Sequence, residues 1–144
     1  MTRKIAFDVH GKPQPAGSKR VVTNQKTGRA FVIDANSNSR DWKNQVSDSA
    51  SLAYKGALIT GPISLTVVFS MPRPKSHFTS KGKPSSQWRS SPTVKPDATK
   101  LLRGVEDAIT GIIWRDDSQI VCQHVYKRYD ESFVTSISIE ELAE

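Results

Sequence analysis

The chain has 144 residues, with 21 Lys and Arg against 14 Asp and Glu, a formal net charge of +7 and a pI near 9.7. A content of 36% hydrophobic and 24% charged residues is above a disordered composition and sustains one modest core, so a single domain over residues 1–144 is expected. No stretch approaches the ~20 apolar residues of a membrane span, residues 1–10 carry no signal-peptide-like run, and the lone Cys122 excludes a disulfide framework or Cys-rich zinc site, which points to a reducing cytoplasmic setting.

Residues 4–9 (KIAFDV) read as a short strand, and residues 11–28 as loop, punctuated by Gly11, Pro13, Pro15, Gly17 and Gly28. A second strand is expected over 29–34 (RAFVID). Asp34 or Asn36 then suits the cap of a helix running to about Tyr54, whose Trp42, Val46, Ala50 and Ala53 fall at helical spacing. Residues 62–71 give the clearest strand: Ile63, Leu65, Val67, Phe69 and Met71 alternate with Ser64, Thr66 and Ser70. Pro72 and Pro74 are expected to end it. Residues 72–96 form a long basic loop, a length uncommon in compact domains unless the segment is functional or disordered.

A second helix is expected over 98–110, with Leu101, Leu102, Val105, Ala108 and Ile109 as its apolar face and Gly111 as its stop. After the acidic corner 115–118, strands at 119–129 and 133–139 are separated by Asp130-Glu131-Ser132, short enough for an antiparallel hairpin. Cys122 is expected to be buried in the first of these strands and His124 to be structural there. The sum is an α+β domain, a mixed or mostly antiparallel β-sheet packed with two main helices.

Charge is uneven along this order. Residues 1–96 hold sixteen Lys and Arg and four acids; residues 97–144 hold five and ten. A basic half followed by an acidic one suits a polyanion-binding surface with a carboxylate site set into it, although folding can equally mix the halves. The loop concentrates the pattern: Arg73, Lys75, Lys81, Lys83, Arg89 and Lys95 occur there without an acid, with Phe78 and Trp88 among them. Such cations neutralise phosphates and exposed aromatics stack on unpaired bases; scattered lysines can also merely solvate a loop.

Carboxylates cluster next. Pro96 disfavours helix at Lys95, so Asp97 falls at the helix start. There it is either an N-cap or a ligand for a hard cation such as Mg²⁺, which takes one or two carboxylates plus water and phosphate oxygens. Asp116 and Asp117 are either solvated turn residues or a repelling pair that a cation relieves. Thr99, Arg103 and Asp107 share one helix face at i, i+4 and i+8, with Glu106 nearby. Arg103 and Asp107 form an ordinary ion pair, or Arg103 faces a phosphodiester. His10, His77 and His124 show no metal-ligand spacing, and no P-loop, dinucleotide fingerprint or nucleophile elbow is present.

The run KPDATKLLR, then GVE, DAI, Trp114, Arg115, Asp116 and Asp117 resembles the RusA-type Holliday junction resolvases, small endodeoxyribonucleases common on phages and prophages. Their signature is Lys-Pro-Asp-x-Asp-Asn-Leu-x-Lys, three residues, Asp-Ala-Leu, then an aromatic and an Asp-Asp pair. The likeness is strong over about residues 94–121 and weaker towards the N-terminus.

The resemblance implies a RusA-like α+β homodimer that resolves four-way DNA junctions in recombination and repair with Mg²⁺, Mn²⁺ being able to substitute. Asp97 takes the first metal-ligand position and Asp117 the last. Asp116 matches the neighbouring acid, Asp107 matches the acid in the helix, and Arg103 stands at the catalytic lysine position. Thr99 replaces the usual second metal-binding Asp and Lys100 the usual Asn, leaving Glu106 or Asp107 to supply the missing carboxylate. The catalytic set is therefore Asp97, Asp117, Arg103 and Asp116. The metal set is Asp97, Asp117 and Asp116, with Thr99, Glu106 and Asp107 as further candidates. Lys100, Phe78, Trp88 and the loop cations would contact DNA. The alternative that Thr99 favours is a non-catalytic nucleic-acid-binding protein on the same scaffold.

Overall fold

A computed structural model describes residues 2–16, 19–34 and 37–143. In chain order the elements are β1 (Lys4–His10), β2 (Lys19–Thr23), β3 (Ala30–Asp34), α1 (Ser37–Ala53), β4 (Ile63–Pro72), α2 (Ala98–Ile109), β5 (Ile120–Asp130) and β6 (Val134–Glu141), with 3₁₀ turns at Lys75–His77 and Asp117–Gln119. The fold is α+β with a mixed sheet, as the sequence leads one to expect. Four strands lie in the order β1-β6-β4-β5, and β2 and β3 form a separate antiparallel pair. β4 is parallel to β5 and antiparallel to β6.

The alternation in β4 explains its central place. Ile63, Leu65, Val67 and Phe69 are fully buried, each stabilising the fold by roughly 1.5–3 kcal/mol. They meet Ile137 and Ile139 of β6, Trp42, Val46 and Ala50 of α1, and Leu101, Val105 and Ile109 of α2 in one cluster. Gly104 lets the chain before β2 cross α2 closely: a Cβ there would lie 3.3 Å from the Gln14 carbonyl oxygen, and the Ala16 N–H donates to the Lys100 carbonyl at 3.0 Å. Gly111, at φ +89, turns the chain out of the helix.

Several expectations change. β5 and β6 are not a hairpin, because β4 lies between them. A short connection requires only that two strand ends lie about two strand spacings apart, roughly 10 Å, and here it crosses the end of β4. β2 falls inside the stretch read as loop, since its pairing with β3 rather than its composition creates it. Gly17 and Ser18 lie outside the described residues, as does Asn36, and Asp34 closes β3 opposite Lys19. Ala53 is exposed at the end of α1. Pro72 remains in β4. Cys122 is half-buried and His124 exposed, with Sγ and Nε2 3.1 Å apart.

That last change has a local cause. The β4–β5 register slips between Ile63/Ser64 and Ile120/Cys122, leaving Val121 as an extra, exposed residue. The bulge inverts the phase of β5. Gln123, Val125 and Lys127 then pair with the buried Leu65, Val67 and Phe69 and share their side of the sheet.

Candidate functional site

The apolar face of α2 is spent on the core, so its opposite face carries the chemistry. Thr99, Arg103, Glu106 and Asp107 line a pocket of about 310 Å³, closed by Asp117 from the following turn and Gln123 from β5. The acidic turn thus returns onto the helix, placing the Asp117 carboxylate beside those of Glu106 and Asp107, and like charges held close raise the pKa of one another. Asp97 lies two residues before Thr99, outside this lining, at the N-cap of α2. Its backbone is extended and its side chain makes no capping hydrogen bond. The residue is exposed.

A single amide shapes the turn that carries Asp117. Gln119 Oε1 accepts from the Arg115 and Asp116 N–H groups at 2.9 and 2.7 Å. Its Nε2 donates to the carbonyls of Ile59 and Gly61 at 2.8 and 2.9 Å. Asp116 accepts from the Ser118 N–H at 2.9 Å, completing a capping box with Gln119. That backbone donor, aided by the Ser118 and Asp117 side-chain contacts, holds the exposed Asp116 carboxyl below the usual carboxylate range. Asp116 therefore shapes the turn, while Asp117 reaches the pocket.

Burial pushes the Glu106 carboxyl above its ordinary value. The Gln123 amide that donates to it opposes the shift, the Asp117 and Asp107 charges add to it, and Arg103 opposes it. Asp107 pairs with Lys43 of α1 at 3.5 Å rather than with Arg103. The donors here are all oxygen: three carboxylates and the Thr99 hydroxyl. Among the described residues no three His, Cys, Asp or Glu side chains close around one point. An all-oxygen donor set is the kind a hard divalent ion takes, with one or two carboxylates and the rest water and phosphate oxygens.

The loop after β4 is a folded finger. A bridge joins Phe78 to Pro84, the Thr79 N–H donates to the Lys83 carbonyl at 2.7 Å, and Lys81, Lys83 and Phe78 are exposed at the tip. Its base is fixed by Arg73, whose guanidinium lies 4.3 Å from the Trp88 ring and 4.6 Å from that of Tyr129. Arg73 also donates to the Arg89 carbonyl, and His77 packs edge-on against Tyr129 at 5.2 Å. Arg73 and Trp88 thus brace the finger, and Arg89 folds back on the Ser86 and Trp88 carbonyls. Lys75, Lys81, Lys83, Arg89, Lys95 and Lys100 are all exposed.

Sequence reasoning missed Gln119, Gln123, Lys43 and Lys127. The Asp-x-x-Gln spacing of a capping box was the available signal for Gln119. Lys127 donates to the Val94 and Pro96 carbonyls at 2.7 and 3.0 Å, and nothing local marks it.

A family model described as endodeoxyribonuclease RusA matches residues 10–140. An uncharacterised protein of Bacillus subtilis (strain 168), YqaN, is 34% identical over 141 residues, covering 96% of this chain and 97% of its own.

Proposed function

The chain belongs to the RusA endodeoxyribonuclease family, and from that premise we propose that it is a Mg²⁺-dependent endonuclease that resolves four-way DNA junctions, acting as a cytoplasmic homodimer. The observation that carries this reading is the return of Asp117 onto the polar face of α2, beside Glu106, Asp107, Thr99 and Arg103, with an exposed basic finger on the same chain. Among the described residues no helix is long and apolar enough to cross a membrane.

In this proposal Asp117 and Asp97 hold the ion, and Glu106 supplies the carboxylate that Thr99 lacks. Held by these residues, such an ion would supply Lewis-acid polarisation of the phosphate and a more acidic attacking water. Arg103 contributes a permanent positive charge on the pocket wall, where it stabilises negative charge growing on the phosphodiester. Asp116 and Gln119 keep the turn rigid, so that Asp117 would meet the ion without reorganising. The finger lysines neutralise phosphates, and Phe78 offers an exposed ring to an unpaired base. A two-fold dimer suits a nearly two-fold junction, pairing the two cuts.

The test is charge removal at the two aspartates. Asp97→Asn and Asp117→Asn should each abolish cleavage of a synthetic four-way junction in Mg²⁺. Junction binding should be retained or tightened, because each change deletes charge that repels phosphate. Normal cutting by either variant would show that the assigned metal site is wrong. Thr99 supports a second reading, a junction-binding protein without catalysis. Under that reading the wild-type chain binds and never cuts.

A further inference from the structure

We propose that Lys127 is a positioning residue, which fixes the Asp97 end of the site by clamping the two carbonyls that lead into α2. The inference rests on the function proposed above, in which Asp97 is a metal ligand.

The clamp is visible in two bonds: Lys127 Nζ donates to the Val94 carbonyl at 2.7 Å and to the Pro96 carbonyl at 3.0 Å. The second bond acts directly on Asp97. A peptide unit is planar, so the Pro96 carbonyl shares a plane with the Asp97 nitrogen and Cα. Fixing the direction of that carbonyl fixes the point from which the Asp97 side chain starts. An ammonium donor makes stronger bonds than a neutral one, and its two acceptors flank the intervening residue, Lys95.

Little else holds this segment. Among the described residues, 90–96 make no main-chain to main-chain hydrogen bond; Pro92 is buried, whereas Thr93, Val94 and Lys95 are exposed. The first main-chain bond of the helix, from the Leu101 N–H to the Asp97 carbonyl at 3.1 Å, comes after the clamp. Asp97 makes no capping hydrogen bond that would orient it.

The bulge at Val121 makes the reach possible. It puts Lys127 opposite the buried Phe69, on the side of the sheet that carries α2, and Gln123 one helix-facing position before Val125. β5 thereby touches the site twice: through Gln123 on Glu106 and through Lys127 on the approach to Asp97.

The test uses the full chain with Lys127→Met, which keeps the apolar stem and removes the ammonium. Amide hydrogen exchange should accelerate at Leu101, whose N–H makes the first main-chain bond after the clamp, and in the α2 turn that follows it, and stay unchanged in β4 and β6. The Mg²⁺ concentration for half-maximal junction cleavage should rise about ten-fold or more, as for other residues that orient metal ligands. Cleavage at saturating Mg²⁺ and metal-free junction affinity should be close to wild type. Unchanged exchange and unchanged Mg²⁺ requirement would overturn the proposal. Weaker junction binding with an unchanged Mg²⁺ requirement would also overturn it, assigning Lys127 to direct phosphate contact. Should Lys127→Met fail to fold, Lys127→Arg keeps the charge at a longer reach; it should also raise the Mg²⁺ requirement, and a wild-type requirement would overturn the clamp. Asp97→Asn, measured in parallel, separates the two claims. Normal cutting there defeats the metal site, while the exchange data still report the clamp.

Discussion

Gln119→Glu divides the turn's hydrogen bonds into two halves. At neutral pH a carboxylate still accepts from the Arg115 and Asp116 N–H groups but cannot donate to the Ile59 and Gly61 carbonyls. Two bonds are lost, each worth about 1 kcal/mol net. Partial access of water to Gly61 offsets some of the loss, and the new charge near the carbonyl oxygens adds to it. A destabilisation of about 2 kcal/mol is expected, which for a chain of this size lowers Tm by roughly 4–8 °C. Urea unfolding should show a lower midpoint with an unchanged slope. Cleavage should fall further than stability alone accounts for, since the turn also carries Asp117, while junction binding stays intact. Protonating the introduced carboxyl restores one donor, so part of the stability gap should close at acid pH. Wild-type stability for Gln119→Glu at neutral pH would refute the view that the donor half of this amide anchors the site.

Changing Lys81 and Lys83 to Ala should reduce the steepness of the log–log salt dependence of junction binding by about 1.8, two phosphate contacts' worth; an unchanged slope would remove the finger tip from the DNA surface. Arg73→Lys loses the planar stack between Trp88 and Tyr129 and should cost about 1–2 kcal/mol, with faster hydrogen exchange over residues 73–89; protection equal to wild type would contradict the bracing role. Glu106 lies above its usual value of 4.5, so the folded chain holds this proton more tightly than the unfolded chain. The stability this contributes is present below pH 4.5 and is lost as pH rises through the raised value. Glu106→Gln should therefore be more stable than wild type at pH 7 and lose that advantage towards pH 4, as read by Tm; an advantage that grows with acid would reverse the assignment.

The parts of this molecule legible in its sequence are those fixed by local periodicity. α2 showed itself through Leu101, Leu102, Val105 and Ile109, and β4 through Ile63, Leu65, Val67 and Phe69, because a buried face imposes its period on the chain. The polar face of α2 follows from the same geometry, which is why the i, i+4, i+8 spacing alone groups Thr99, Arg103 and Asp107. Pairing was not legible. The insertion of β4 between β5 and β6 depends on contacts between segments far apart in sequence, and a three-residue connection fits a hairpin as well as a strand crossing. Nor does a single sequence mark the bulge at Val121, so the inward turn of Gln123 and Lys127 was hidden. The bracing of Arg73 was hidden because its partners, Trp88 and Tyr129, come together only in the fold.

The most direct measurement of the central claim is incision of a synthetic four-way junction by the wild-type chain in Mg²⁺, beside a linear duplex of the same sequence. Paired nicks across the junction, absent from the duplex and abolished by chelation, are the expected result. Tight junction binding without scission in either Mg²⁺ or Mn²⁺, while an active resolvase cuts the same substrate, would contradict it.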